Sequence, residues 1–319
     1  MRFRGSASRP HEVREMSEKI HQTAIIGLGV ELGEGVTIGP YSVIGDGVRI
    51  GDRTRVAEQV VIGPGVTIGA DNQIGAKVNI LGVTTIGSGN AIHGLASLGT
   101  PPQDFSYRGE DTCLEIGDGN TIREFVTVNR GTIKGGGVTR IGNHCLLMAC
   151  CHVAHDCEIE DRVILGNNAL LAGHVHVGAR ANISGGAGAH HFVTIGTLAY
   201  VGGLTRLVQD VPPYMTVEGH PSRVRAVNVV GLARAGFDEA AIERLRDAYK
   251  QIYRSKETEP RRRLLERVKS EFGADVLVSQ LVQSLQRTEL SPKGRYRETL
   301  KEEFGRLGRQ RILLAGEFQ

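Results

Sequence analysis

Residues 26–207 repeat with a period of six, and few folds accommodate that period. Aliphatic side chains recur at Ile26, Leu32, Ile38, Ile44, Ile50, Val56 and onward every sixth residue to Leu98. The phase returns at Ile116, Ile122 and Val128, then shifts by one and resumes from Ile141 through Leu147, Val153 and Ile159 to Leu207, giving twenty-eight units. No helix repeats every six residues, and a lone strand alternates every two. A period of six fits three short strands per coil, the pattern of a triangular parallel β-helix. Glycine often follows the aliphatic residue, as at Gly27, Gly33 and Gly39, and suits a corner where a side chain would be in the way. Four positions past each aliphatic residue the side chain is small: Val30, Val36, Ser42, Val48 and Thr54, and later Cys145, Cys151, Cys157 and Ala169. A narrow prism needs such a large and small inward pair to fill its section.

The remaining composition agrees with a solenoid filled by Ile, Val and Ala: aromatics make up 5% of 319 residues, Trp is absent and Gly numbers 43. Charge is uneven. Residues 220–319 carry 21 Lys and Arg against 14 Asp and Glu, whereas residues 1–219 carry 17 against 21. The C-terminal part is therefore the one expected to meet an acidic partner, the alternative being a solvated basic helix face. No signal-peptide core and no apolar run of membrane-spanning length is present, so a soluble cytoplasmic chain is expected, with no stable membrane insertion. Five cysteines at irregular spacing make no disulfide framework. The expected organisation is an extension over residues 1–19, a β-helix over 20–215, a helical domain over 216–288 and a basic extension over 289–319. Helices are expected at 239–253 behind Asp238 as N-cap, at 261–272 and at 274–287. Two segments, 99–115 and 129–140, interrupt the repeat, and long loops in a compact repeat are usually functional. Val211-Pro212-Pro213-Tyr214 ends the strands, because proline cannot donate to a ladder.

Histidines concentrate in the coils after the second interruption. Six of eleven lie between His152 and His191. With eighteen residues per coil, His155, Gly173 and His191 stack on one outward face, about 4.8 Å apart along the axis. His174 and His190 flank the stack by one position, and His152 lies nearby on the first turn. Two chemistries compete. The run Cys150-Cys151-His152-Val153-Ala154-His155-Asp156-Cys157 is rich in metal ligands, but Cys151 and Cys157 fall in the inward column with Cys145, which leaves only a histidine-liganded metal site between subunits. The second reading is a general base: Asp156 orients His155, and Gly173 on the next coil offers a backbone N–H to an oxyanion. Glycine pairs such as Gly27 and Gly29 are not followed by the helix that a phosphate-binding turn needs, and no nucleic-acid binding is expected.

At several of these places the sequence resembles the UDP-N-acetylglucosamine O-acyltransferases, the first acyltransferases of lipid A synthesis. The stretches are Ile20 to Ala24, Gln103-Asp104-Phe105, Arg130-Gly131-Thr132, His152 to Cys157, Leu171 to Val175, Gln209 to Tyr214, and Ala248 to Ser255. The resemblance implies a left-handed β-helix, against the usual right-handed crossover, and a homotrimer with active sites between neighbouring prisms. It implies His155 as general base acting on the sugar 3-hydroxyl, Asp156 as its support and Gly173 as oxyanion donor. It implies Asp104, His152, His174, His190, His191, Asn228 and Arg234 around the sugar nucleotide, Gly203 at the acyl-chain pocket, acyl carrier protein as donor, and no metal or dissociable cofactor. Ser106, Asn129, His191 and Val230 depart from the usual pattern. A 3-amino sugar as acceptor, a metal-dependent hydratase of the same fold and a non-catalytic scaffold remain the competing readings.

Overall fold

The computed structural model describes residues 19–255 and 259–316; the expected extension over 1–19 lies outside these residues except for Lys19. Among the described residues the chain winds into three sheets of ten, nine and eleven strands, one per face of a prism and parallel except for the last pair of the third. Most strands are two residues long, with the second residue buried, as in Thr37–Ile38 and Val43–Ile44. The register advances by eighteen residues per coil: Ile26 pairs with Ile44, Ile44 with Ile62, and Ile62 with Ile80. Each rung is closed by backbone bonds to the coil above, such as Gly27 N to Ile44 O at 2.8 Å. Leu98 pairs with Val128 and Val128 with Val153, so both long insertions loop out and the ladder continues, with a local register shift between Leu98 and Thr100.

The glycines after the aliphatic residues answer to the neighbouring coil. A Cβ on Gly27 would lie 2.7 Å from Asp46 N, and one on Gly51 2.7 Å from Ala70 N. Left-handed backbone occurs two residues later, at Gly29 (φ +65°), Tyr41 (+58°) and Arg53 (+56°). The corner thus separates two demands: room for the next coil first, and a positive φ afterwards. Inside the prism the small column is not purely apolar. Asn72, Asn90 and Asn120 are buried and joined in a ladder: Asn90 Nδ2 donates to Asn72 Oδ1 at 2.9 Å and Asn120 Nδ2 to Asn90 Oδ1 at 3.0 Å, while Asn72 Nδ2 donates to Gly69 O and Gly87 O. Cys145 N closes the upper end on Asn120 Oδ1 at 2.7 Å. Cys145, Cys151 and Cys157 point inward as expected, and burial pushes the thiols of Cys151 and Cys157 up to about 12, which keeps them neutral.

The strands run past the proline pair. Met215–Glu218 joins the eleven-stranded sheet and pairs antiparallel with Arg223–Val227, so the part expected to be helical from 216 opens with a strand pair, and a short helix at 229 precedes the first one read from the sequence. They are α1 (Val229–Arg234), α2 (Glu239–Arg254), α3 (Arg261–Phe272), α4 (Val276–Glu289) and α5 (Lys301–Gly316). Asp238 caps α2 through Ala241 N at 2.7 Å. The helix expected at 274 starts two residues later because Asp275 is itself the cap, accepting from Leu277 N and Val278 N. A 3₁₀ turn (Tyr296–Leu300) leads into α5 and is moored to the solenoid by Tyr296 N on Asp210 Oδ2 at 2.9 Å. Among the described residues no helix is long and apolar enough to cross a membrane.

Removing the Asn90 rung of the asparagine ladder leaves the buried Asn120 N and Nδ2 without their acceptor on the next coil, while Asn72 Oδ1 keeps the bond from the backbone of residue 90. Asn90→Ala is expected to destabilise by about 2–4 kcal/mol in urea unfolding, and replacing Asn72, Asn90 and Asn120 together by valine should cost less than three times that amount.

Candidate active site

His155 lies at a corner of the prism, just after the strand His152–Val153, and not on a flat face as the repeat suggests. Its coil stacks on the next: His174 N donates to His155 O at 3.0 Å, and Phe192 N to Gly173 O at 3.2 Å, so positions 155, 173 and 191 lie in register. The expectation of an outward, solvent-facing stripe is corrected for its first members. His155 is 7% exposed, Asp156 3% and His174 9%. The insertion at 129–140 folds over them. Gly135, in the 3₁₀ turn Ile133–Gly135, lies so close that a Cβ there would meet the Asp156 carboxyl carbon at 1.9 Å.

Asp156 occupies the left-handed corner position (φ +60°), which turns its side chain under this loop. Its Oδ2 accepts from His155 Nδ1 at 2.7 Å and from Thr132 Oγ1 at 2.6 Å, and its Oδ1 accepts from Thr132 N at 2.8 Å. Asp156 N donates to Thr139 Oγ1 at 2.8 Å. A carboxylate accepting at Oδ2 assigns the proton of a neutral His155 to Nδ1 and the lone pair to Nε2. The ring lies against Gly173, where a Cβ would be 2.8 Å from Nε2 and 2.5 Å from Cε1. Among the described residues no group accepts a hydrogen bond from Gly173 N. A base nitrogen and an unbonded N–H therefore meet at one spot, and only glycine leaves it open.

The other histidines divide. His174 meets His155 edge to face at 5.1 Å, stacks flat on Phe192 at 4.2 Å, and places Nδ1 3.8 Å from Asp156 Oδ2. Burial pushes it down to about 4, more than the Asp156 charge raises it. His152 bonds Thr127 Oγ1 through Nδ1 at 2.8 Å, and burial lowers it as well. His190 and His191 are exposed; with Gln103, His152, His155, Gly173 and Arg206 they line a groove of about 450 Å³ on the ten-stranded face. Burial, with His190 second, lowers His191.

Four expected residues, Asn228, Arg234, Gly203 and Asp104, do not line this groove. Asn228 caps α1, accepting from Gly231 N at 3.0 Å and donating to Leu198 O at 2.8 Å. It lines, with Arg162, Arg180, Tyr200 and Arg234, a groove of about 520 Å³ on the eleven-stranded face. Among the described residues Arg162, Arg180 and Arg234 form no ion pair. Gly203 sits at the corner between these two faces, 3.4 Å from Gly185 O measured from a built Cβ, and lies apart from the His155 groove. Asp104 belongs to the insertion at 99–115. Ser106 bonds it through both N and Oγ at 2.8 Å, and the backbone bond first of all holds its carboxyl below the usual range. Lys134 Nζ reaches the same Ser106 Oγ at 2.6 Å. Sequence reasoning missed Thr132, Thr139 and Phe192 because each acts across coils. Thr132 was visible only as part of a motif, and the eighteen-residue offset from His174 to Phe192 was the one signal for the latter.

His155, Asp156 and His174 also place ligand atoms within 4.8 Å of one another. Both Asp156 oxygens, however, already accept hydrogen bonds, three in all. A bound cation would have to displace at least one of them, so the donor set fits an oriented imidazole better than a metal cage.

Known proteins are similar to this chain in sequence and fold. Residues 210–294 match the family described as Udp N-acetylglucosamine O-acyltransferase, Domain 2, and residues 29–64 and 139–173 match bacterial transferase hexapeptide repeats. An acyl-[acyl-carrier-protein]–UDP-N-acetylglucosamine O-acyltransferase of Gloeothece citriformis is 55% identical over 160 residues. That match spans 50% of this chain and 58% of the relative, so it covers little more than half the length of such curated proteins. The crystal structure of the UDP-N-acetylglucosamine O-acyltransferase from Moraxella catarrhalis is 36% identical, with a TM-score of 0.71 over 84% of this chain and 97% of that one. The Arabidopsis UDP-N-acetylglucosamine acyltransferase is 33% identical, with a TM-score of 0.73 over 86% and 98%. The left-handed hexapeptide coil with its C-terminal helices is therefore the fold of those enzymes. With its path matched along nearly the full length of solved relatives, the chain belongs to the UDP-N-acetylglucosamine O-acyltransferase family.

Proposed function

We propose that this protein transfers a 3-hydroxyacyl group from acyl carrier protein to the 3-hydroxyl of UDP-N-acetylglucosamine, the opening step of lipid A synthesis. The observation that carries the reading is the 2.7 Å bond from His155 Nδ1 to the buried Asp156, with Nε2 left against the open backbone of Gly173. His155 Nε2 takes the proton of the sugar 3-hydroxyl as its oxygen attacks the thioester carbonyl. The oxyanion of the tetrahedral intermediate accepts from Gly173 N. Collapse breaks the C–S bond, and the imidazolium returns its proton to the departing thiolate. Asp156 stays ionised and stabilises the imidazolium, which a general base of this kind needs. Each step uses a group of this chain, so the proposal requires no metal or dissociable cofactor.

The rest of the site suits a homotrimer. The groove with His155 and the groove with Asn228 and Arg234 lie on adjacent faces of one prism, and such faces point away from each other. A neighbouring copy brings them together. The three unpaired arginines of the second groove then offer bidentate donors to a pyrophosphate, with Asp104, His152, His190 and His191 near the sugar. Both substrates are water-soluble, which fits a cytoplasmic enzyme. The basic C-terminal part suits an acidic carrier protein. The same base serves a 3-amino sugar nucleotide equally well, so the acceptor is part of the test.

Acyl transfer by the purified protein is measured with UDP-N-acetylglucosamine, its 3-amino analogue and a series of 3-hydroxyacyl carrier proteins. We expect transfer to the hydroxyl acceptor, a loss of about 10²–10⁴ in His155→Ala, and full activity in a metal-free preparation. Transfer to the amine alone would shift the acceptor. Bound zinc with activity abolished by a chelator would favour the metal-dependent reading.

The neutral state of His174 leaves the Asp156 charge to His155, and it has a consequence for stability. The unfolded imidazole binds a proton near 6.5, the folded one only near 4. As pH falls from about 6.5 to about 4 the unfolded state is protonated first and the fold loses up to about 3 kcal/mol; above about 6.5 the contribution is complete and constant. Thermal unfolding at about pH 7 and pH 5 should show a smaller difference in His174→Asn, a residue that tolerates the φ of +65° there. An unchanged difference would contradict a neutral His174.

A further inference from the structure

We propose that helix α5 (Lys301–Gly316), which follows the last residue matched to the family, is a positioning element of the active site that clamps Asp156 from two sides. The proposal rests on the reading of His155 and Asp156 as the catalytic pair.

The first arm runs through the 3₁₀ turn. Gly305 and Gly308 are buried on one side of α5, three residues apart. Gly308 packs so closely on Ile133 that a Cβ there would sit 2.0 Å from Ile133 O. The neighbouring Gly305 faces Lys134 O. One residue before Ile133 stands Thr132, whose N–H and hydroxyl hold both oxygens of Asp156. Arg311 fastens the far side of the same loop. It pairs with Glu115, which also pairs with Arg140 at 2.8 Å, and its side chain passes 3.5 Å from a Cβ built on Gly137. The second arm runs through Phe192. The Lys301 ammonium lies 4.7 Å from the centroid of that ring, and the ring stacks on His174 at 4.2 Å. His174 in turn lies 3.8 Å from Asp156 Oδ2. Both arms end on one carboxylate, so a displacement of α5 is transmitted to the orientation of His155. A base misplaced by about 1 Å loses up to about 10²-fold in rate.

Gly308→Ala isolates this role. Alanine favours a helix over glycine, so a merely solvated helix gains from the change or ignores it, and one that only packs here loses stability without losing kcat. A clamp loses, because any Cβ collides with the Ile133 backbone. The full-length variant is compared with wild type, with Arg311→Gln as a milder break and with Gln310→Ala, an exposed position of α5, as control. Two readouts are taken. One is kcat and KM for acyl transfer. The other is the NMR titration of the histidine rings, which needs no activity. The groups facing His155 in that titration are Asp156, His152, His174 and His191, with Asp104 and Lys134 beyond them. In Gly308→Ala and Arg311→Gln we expect kcat to fall by about tenfold or more with KM within about threefold, and the His155 and His174 titrations to shift. Gln310→Ala should match wild type. Unchanged kcat with superimposable histidine titrations overturns the clamp. If wild type transfers no acyl group to any acceptor, the functional reading fails and the titrations alone decide: shifted curves support the clamp and superimposable curves overturn it.

Discussion

The eighteen-residue register of the backbone ladder is the constraint on which everything else depends. Two-residue strands have almost no stability of their own; each is held by bonds to the coils above and below. The ladder tolerates additions only where they leave the rungs in place. Insertions of different length before Val128 and Val153 therefore emerge at corners, and the coil resumes unchanged. A rigid frame with loops placed at will is a suitable base for chemistry, since the frame fixes what is stacked while the loops decide what is covered.

That division appears at Asp156. The frame sets its position by a left-handed corner and by the Thr139 hydroxyl. The insertion supplies Thr132, and the next coil supplies His174. A buried carboxylate is tolerable only when hydrogen bonds satisfy it, and three do so here. The histidine that depends on it is thereby fixed in tautomer and direction. Gly173 is required for a steric reason alone: any side chain at that position would occupy the volume of the imidazole.

Much of this was legible from residues 26–207, because the inward side chains have a period that survives two interruptions. Cys151 and Cys157 could be assigned to the interior from their column, against the appearance of a metal-binding motif. The stacking of His155 on Gly173 followed from counting. The burial of that stack did not follow, since it depends on where the loop at 129–140 folds back, and no period describes a loop. The asparagine ladder was hidden for another reason: Asn72, Asn90 and Asn120 satisfy one another, a property of neighbours one coil apart rather than of any single position. The strands at Met215–Glu218 and Arg223–Val227 were missed because the prolines before them occupy a corner, where no ladder donor is needed. The Asn228 and Arg234 groove shows the limit most clearly. Sequence motifs grouped it with His155, whereas one chain places the two on different faces.

The proposed reaction depends on the charge of the buried Asp156 acting on His155. Asparagine keeps the size, accepts the left-handed backbone and retains one acceptor oxygen, but carries no charge. Acyl transfer by Asp156→Asn is the most direct test. The account predicts that kcat falls by about 10²-fold or more, with KM for the sugar nucleotide changed only a few-fold. A variant that folds and turns over near the wild-type rate would contradict it.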